Sequence, residues 1–229
     1  MEATIADAAQ AAPRTVLFDF DGVLVRGDSF EAFLRRRFRR SRWRLLPVLP
    51  LLPLLPMVLA SPRGKGLAAR ALFRCATLGW SEARYRREAE AFGRSLAQRP
   101  GAFLRDGVLA LRRHLAAGDR VLIVSATEST LLDAMLDELK LPAVPCLCST
   151  VRGGWLGPRV VMHNYGKAKP ATLAAHGVMP PWDLAYSDAL SDLPLLAGAR
   201  RAVLVNPDAR SERALRRVLG ERLEVVGWS

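Results

Sequence analysis

Two aspartates, Asp19 and Asp21, are the residues whose spacing most directly indicates chemistry. They follow the apolar run Val16-Leu17-Phe18, which predicts a buried strand. Ligand sites form at the carboxyl ends of parallel strands, and carboxylates two residues apart would point into one small space there. They would repel each other unless a cation lay between them. Gly22 then lets the backbone turn sharply away. The paired carboxylates therefore predict a divalent metal and an anionic substrate.

The same residues could instead form a plain loop or part of a calcium site. A calcium loop would continue with regularly spaced oxygen ligands and end on a glutamate. Here Val23, Leu24 and Val25 follow, so calcium binding is disfavoured. The choice between a loop and a catalytic pair depends on the rest of the chain.

A second polar group, Ser125-Ala126-Thr127, follows a predicted strand at 121–124 and precedes a predicted helix at 131–139. A strand-to-helix turn offers unpaired backbone N–H groups and the positive end of the helix dipole. With a hydroxyl group added, this segment predicts a site for an anion such as phosphate.

Two lysines and two further aspartates complete the set. Lys167 and Lys169 precede Pro170, which suits the first turn of a helix. Asp188 and Asp192 follow a predicted strand at 184–186, again at the carboxyl end of a strand.

The order Asp-x-Asp-Gly-x-Leu, Ser, Lys, Ser-Asp-x-x-x-Asp resembles the four motifs of the haloacid dehalogenase superfamily of phosphohydrolases. The family pattern of a lysine followed four residues later by leucine selects Lys169 over Lys167. Val23 stands where many relatives have threonine, and Ser187 where phosphoserine phosphatases have glycine. Neither departure removes a group that the chemistry requires.

The resemblance implies a role for each residue. Asp19 would be the nucleophile that forms an aspartyl-phosphate, and Asp21 the general acid and base. Ser125, with Ala126 and Thr127, would hold the phosphate, and Lys169 would neutralise its charge. The implied Mg²⁺ site consists of Asp19, Asp21 through its backbone carbonyl, and Asp188, with Asp192 supporting it.

We therefore predict an α/β fold: a doubly wound parallel Rossmann-like core with an inserted all-helical cap domain. The core would comprise residues 14–27 and 106–229, after a flexible lead at 1–13. The cap would comprise residues 28–105, which hold 17 basic residues against 5 acidic ones and so account for the whole net charge of +12.

An uncharged stretch at 45–60, with four prolines, follows seven arginines between positions 35 and 44. It is shorter than the ~20 residues that a spanning helix needs. A re-entrant or interfacial hairpin, a polyproline-like segment and an apolar lid remain possible. The basic, aromatic flank favours contact with a membrane over a lid.

Within the superfamily, the insert most resembles the phosphatidylglycerophosphatase C type. The similar segments are Asp28-Ser29-Phe30, the Leu/Pro run at 46–56, Lys65-Gly66-Leu67-Ala68-Ala69-Arg70 and Leu78-Gly79-Trp80-Ser81. This resemblance implies dephosphorylation of phosphatidylglycerol phosphate at the cytoplasmic side of a bacterial inner membrane. An anionic phospholipid and the membrane surface would then be the partners.

Two other functions stay open. In a small-molecule phosphatase resembling phosphoserine phosphatase, Asp28 would hold the substrate ammonium, although a helix N-cap role is favoured for this residue. A nucleic-acid binder would use the arginines on phosphates, but no nucleic acid is expected because the catalytic set would have no role in binding. The acidic, alanine-rich start and the three cysteines indicate neither a signal peptide nor a disulfide framework, which favours the cytoplasm or the cytoplasmic face of a membrane.

Overall fold

The computed structural model describes residues 13–47 and 61–229, which fold around a seven-stranded sheet. Its strands are β1 (Thr15–Phe18), β2 (Arg120–Glu128), β3 (Cys146–Arg152), β4 (Arg159–Met162), β5 (Trp182–Ser187), β6 (Ala199–Val205) and β7 (Leu223–Val226). Their order is β4-β3-β2-β1-β5-β6-β7, and the paired neighbours are parallel except β3 and β4. The predicted doubly wound α/β fold is confirmed.

The edge strand β4 departs from a fully parallel sheet. It returns from β3 through residues 153–158, where Gly157 has a φ of +118°. A connection this short suits an antiparallel pair, because a parallel crossover needs a dozen or more residues.

Helices cover both faces of the sheet. They are α1 (Ser29–Arg40), α2 (Pro62–Thr77), α3 (Glu82–Ala97), α4 (Arg105–Ala116), α5 (Ser129–Glu138), α6 (Ala168–Ala175), α7 (Leu193–Ala197) and α8 (Ala209–Leu219). Along β1, Val16 and Phe18 pack into the core on one face and Leu17 into the core on the other. Alternation of side chains explains why a strand buried on both faces has a continuous apolar sequence.

The described part of the insert contains α1, α2 and α3. Helix α1 begins where Asp28 accepts a hydrogen bond from the Glu31 amide at 2.7 Å, as expected for a helix N-cap. Phe33 of α1 and Phe92 of α3 belong to the same apolar core as Phe18 of the sheet. The insert therefore packs directly against the sheet.

Residues 48–60, most of the uncharged stretch, lie outside the described residues. Among the helices that are described, none has the length and apolar character needed to cross a membrane.

Candidate active site

The residues singled out in the sequence come together at the carboxyl ends of three adjacent strands, β2, β1 and β5. The amide of Asp19 donates to the Tyr186 carbonyl at 2.9 Å, which holds this aspartate beside the end of β5. Strand β1 ends at Phe18, so Asp19 and Asp21 lie beyond it. The prediction that one face of a strand carries both carboxylates is therefore wrong. The turn after the strand directs their carboxylates to different partners.

Lys169 lies within the group of acidic residues and is only 1% exposed. Its Nζ lies 2.9 Å from Asp19 Oδ1 and 2.6 Å from Asp192 Oδ2. Burial opposes the charged form, but the two carboxylates outweigh it and raise the pKa of Lys169. Asp192 also accepts a hydrogen bond from Ser187 Oγ at 2.8 Å. Lys167 is exposed, so the structure brings Lys169 rather than Lys167 to Asp19.

Asp21 has a different environment from Asp19. One carboxylate oxygen accepts the Ser29 amide at 3.0 Å, and the other accepts the Thr127 hydroxyl. Burial, followed by the charge of Asp28, raises the pKa of Asp21 to about 6. A carboxyl group with this pKa can donate or accept a proton near neutral pH. The contact with Ser29 was not foreseen, since nothing in the local pattern marks that serine as a partner of Asp21.

The segment Ser125-Ala126-Thr127 lies in the last part of β2 and not in a strand-to-helix turn as predicted. The pairing of β2 with β3 shifts register between Val124 and Glu128, and such bulges redirect side chains near active sites. Ser125 Oγ accepts the Thr127 amide at 3.0 Å. One of the N–H groups expected to be free is thus already used.

Glu128 connects this segment to the insert. Its carboxylate caps α5 by accepting the Leu131 amide, and it also accepts the Tyr85 hydroxyl of α3 at 2.9 Å. Burial and the charge of Glu128 raise the pKa of Tyr85, so its hydroxyl keeps the proton that it donates. This contact links α3 of the insert to the strand end beside the site.

Asp188 approaches the backbone at Gly22 very closely. A Cβ atom added to Gly22 would lie 2.0 Å from Asp188 Oδ2, and Gly22 has a φ of +73°. Glycine is therefore required here both for backbone conformation and for space. The contact sets the Asp188 carboxylate against the loop that carries Asp19 and Asp21.

We expect Gly22→Ala to lower turnover by about 100-fold, because displacing a group at a reacting centre by about 1 Å costs this much. Gly27→Ala is the matched control, since Gly27 has a φ of +77° with nothing within 4 Å of the added atom. Both variants should lose about 1 kcal/mol of stability through backbone strain, and Gly22→Ala should lose more because its added atom meets Asp188. Steady-state turnover and denaturant unfolding of both would check this, and equal activity of the two variants would contradict it.

The donor set of the site fits Mg²⁺. Both oxygens of the Asp21 carboxylate accept hydrogen bonds, and the Asp192 carboxylate binds Lys169 and Ser187. The remaining donors are Oδ2 of Asp19, whose Oδ1 contacts Lys169, the carboxylate of Asp188 and the backbone carbonyl of Asp21. Burial raises the pKa of Asp19, and the nearby charge of Lys169 offsets only part of this increase. Burial, followed by the charge of Asp192, raises the pKa of Asp188 to about 6. A cation would relieve this surplus of buried carboxylates, and Mg²⁺ prefers oxygen ligands and retains several waters. Over 13–47 and 61–229, no three His, Cys, Asp or Glu side chains form a ready-made metal centre.

The stability of the metal-free protein should depend on Asp21 between pH 4 and pH 6. Because its pKa is about 6 when folded and 3.8 ordinarily, the folded state binds more protons in this window. The contribution of Asp21 to the free energy of unfolding should therefore fall by about 2 kcal/mol as pH rises across it. The free energies of unfolding of the wild type and of Asp21→Asn would be measured with denaturant, in the presence of a chelator, from pH 4 to pH 6. The difference between the two free energies should change across this range. A difference independent of pH would contradict it.

A family profile described as haloacid dehalogenase-like hydrolase matches residues 16–197, which include every element of this site. The chain belongs to the haloacid dehalogenase-like hydrolase family. The prediction of a hydrolytic enzyme is thereby confirmed.

Among curated relatives of this hydrolase, phosphoserine phosphatase SerB1 of Mycobacterium tuberculosis H37Rv is 33% identical over 162 residues, covering 62% of this chain and 50% of the relative. The chain spans about half the length of the curated relatives it matches.

Two solved structures share its fold. A protein with unknown function from Bordetella pertussis Tohama I has a TM-score of 0.69 at 20% identity, covering 94% of this chain and 99% of that one. A phosphoserine phosphohydrolase-like protein from Francisella tularensis has a TM-score of 0.60 at 17% identity, covering 92% and 94%.

Proposed function

We propose that this hydrolase cleaves phosphate monoesters through an aspartyl-phosphate on Asp19. The observation that carries the proposal is the buried contact of Lys169 Nζ with Asp19 Oδ1 at 2.9 Å, beside an Asp21 whose pKa is about 6. A carboxylate paired with a fixed cation and flanked by a proton donor can divide a difficult hydrolysis into two easier steps.

In the first step, a carboxylate oxygen of Asp19 attacks phosphorus and the ester oxygen leaves. Asp21 donates a proton to that oxygen, since the Ser29 amide and the Thr127 hydroxyl hold its carboxyl group in one orientation. Lys169 offsets negative charge on the transferring group, while Asp192 fixes the ammonium in place.

In the second step, Asp21 accepts a proton from the water that attacks the aspartyl-phosphate, which restores both aspartates. Ser125 would contact a phosphate oxygen, and its hydroxyl is held by the Thr127 amide. Mg²⁺ bound by Asp19, Asp188 and the Asp21 carbonyl would supply further stabilisation of phosphoryl charge.

For the substrate, we propose a small phosphomonoester of the phosphoserine class. A cleft beside Ala126 would receive the leaving group. Its lining combines apolar side chains with one cation and with polar groups that include one carboxylate; the residues are Phe30, Ala69, Val151, Val160, Arg70, His163, Ser149 and Glu128. The curated relative named phosphoserine phosphatase supports this choice. Arg70 is the arginine in this lining, and it would bind a carboxylate of the substrate. Asp28, the candidate for the substrate ammonium, caps α1.

Phosphatidylglycerol phosphate is the second candidate. It is supported by two apolar side chains that the structure leaves exposed beside the arginines of α1, Trp43 at 58% and Leu46 at 59%. Exposed aromatic and aliphatic groups next to basic residues are typical of surfaces that contact lipid.

The test is Mg²⁺-dependent phosphate release from phosphoserine and, in mixed micelles, from phosphatidylglycerol phosphate, with Asp19→Asn as the blank. We expect phosphoserine to be preferred, and we expect Arg70→Ala to raise its KM about tenfold through the lost ion pair. Hydrolysis of p-nitrophenyl phosphate, which has no carboxylate, should be unchanged in that variant. Preference for the lipid would favour the second candidate, and no release from either substrate would contradict both.

A further inference from the structure

A groove between α1 and α3 lies on the insert and shares no lining residue with the catalytic cleft. It has a volume of about 500 Å³, and aromatic residues Phe33, Trp80 and Phe92 contribute to its lining. Five arginines also line it: Arg36, Arg37, Arg40, Arg84 and Arg87. Glu88 is the one acidic residue among the lining residues, so the groove, hereafter the arginine groove, is strongly positive.

Three other arginines on the same two helices have acidic partners, whereas Arg39 of α1 has none among the described residues. Each of the three lies four residues from a glutamate; these pairs are Arg35 with Glu31 at 2.7 Å, Arg86 with Glu82 at 3.3 Å and Arg94 with Glu90 at 3.9 Å. In contrast, none of the five groove arginines forms an ion pair with any residue that the structure describes. The positive charge of the groove is therefore not neutralised by ion pairs with neighbouring carboxylates.

Three of the five groove arginines lie over the rings of aromatic residues that also line the groove. The guanidinium groups of Arg37 and Arg84 lie 4.7 and 5.2 Å from the Trp80 ring centroid, and that of Arg36 lies 5.3 Å from the Phe92 centroid. Burial and then the neighbouring charge of Arg40 lower the pKa of Arg36. This repulsion between fixed cations would be relieved by a bound anion.

We infer that the arginine groove is a phosphate-binding site separate from the catalytic cleft. Guanidinium groups present planar pairs of N–H donors that match the oxygens of a phosphate group, and they keep their charge at any physiological pH. The groove is large enough for a phosphate group with the part of a molecule that carries it.

The surroundings of the groove favour the headgroup of an anionic lipid as the source of that phosphate. Arg44 donates to the Cys75 and Leu78 carbonyls and so fixes the segment after α1 beside the end of α2, close to Trp80. The neighbouring Trp43 is 58% exposed. An aromatic side chain beside clustered cations suits the boundary between lipid headgroups and water.

The test compares two triple variants of the full chain in the absence of any hydrolysable substrate. Arg36→Ala/Arg84→Ala/Arg87→Ala removes groove arginines, and the matched control Arg35→Ala/Arg86→Ala/Arg94→Ala removes paired ones from the same helices. Arg37 is kept because it also donates to the Ala76 carbonyl and the Ser41 hydroxyl. Binding is measured by calorimetry with pyrophosphate and by flotation with vesicles of phosphatidylglycerol or phosphatidylcholine.

We expect the groove variant to lose about 100-fold in affinity for phosphatidylglycerol vesicles and the control to lose less than about tenfold. If the groove variant loses affinity only for pyrophosphate, the result would still support the site and would identify its ligand as a soluble phosphate compound. Equal losses in both variants, or no binding by the wild type in either assay, would overturn the inference. Binding of single-stranded DNA alone, lost in the groove variant, would also overturn it. Turnover of p-nitrophenyl phosphate should be unchanged in both variants, so failure here is distinguishable from failure of the proposed reaction.

Discussion

Asp19→Asn is expected to reduce phosphate release by at least about 10³-fold, because an amide cannot attack phosphorus and no other group can replace the nucleophile. The fold should survive. Lys169 keeps its contact with Asp192 at 2.6 Å, and one of the buried carboxylates that share a single ammonium is removed. We therefore expect the free energy of unfolding to be unchanged or higher.

The measurement is steady-state phosphate release together with denaturant unfolding of the same preparations. Glutamine or glutamate at position 19 would alter the length of the side chain, so asparagine is the variant that isolates the chemistry. Release within about tenfold of the wild type would mean that another residue is the nucleophile.

Lys169→Ala is expected to abolish turnover and also to destabilise the protein by about 3–5 kcal/mol. The substitution leaves the carboxylates of Asp19 and Asp192 buried with no cation, and Asp192 is only 2% exposed. Lys167→Ala is the control, because Lys167 is exposed and surface changes of this kind alter stability by less than about 0.5 kcal/mol. Phosphate release and denaturant unfolding, measured for both variants, would check these expected effects on turnover and stability.

A double variant separates the electrostatic and catalytic effects of Lys169. In Lys169→Met/Asp192→Asn, the asparagine oxygen can still accept the Ser187 hydroxyl, which donates to Asp192 at 2.8 Å in the native chain. Stability should recover relative to Lys169→Ala, while turnover should not. Recovered turnover, or a loss of turnover in Lys167→Ala equal to that in Lys169→Ala, would contradict the assignment.

The fold and the set of site residues could be predicted because their signals are local. The run Val16-Leu17-Phe18 indicated a buried strand, and the polar residues after each strand indicated the edge at which they meet. Strands β3 and β4, in contrast, were not predicted.

The partners of the site residues could not be predicted, since they depend on packing between distant segments. Ser29 and Thr127 meet at Asp21 although 98 positions separate them, and Tyr85 meets Glu128 across 43 positions. Side chains of these types usually bind water or their own backbone, so no pattern marks them. The predicted division into a core and a separate cap, and the predicted membrane contact of residues 45–60, stay predictions.

The central claim, a covalent phosphate on Asp19, is tested most directly by trapping that intermediate. The enzyme would be mixed with Mg²⁺ and a phosphomonoester that it hydrolyses, quenched in acid and treated with borohydride. Borohydride reduces an acyl phosphate of aspartate to homoserine. We predict homoserine at position 19 in the peptide spectrum of the wild type and none at Asp21, Asp188 or Asp192. Rapid turnover with aspartate intact at position 19, or homoserine at another of these positions, would contradict the account.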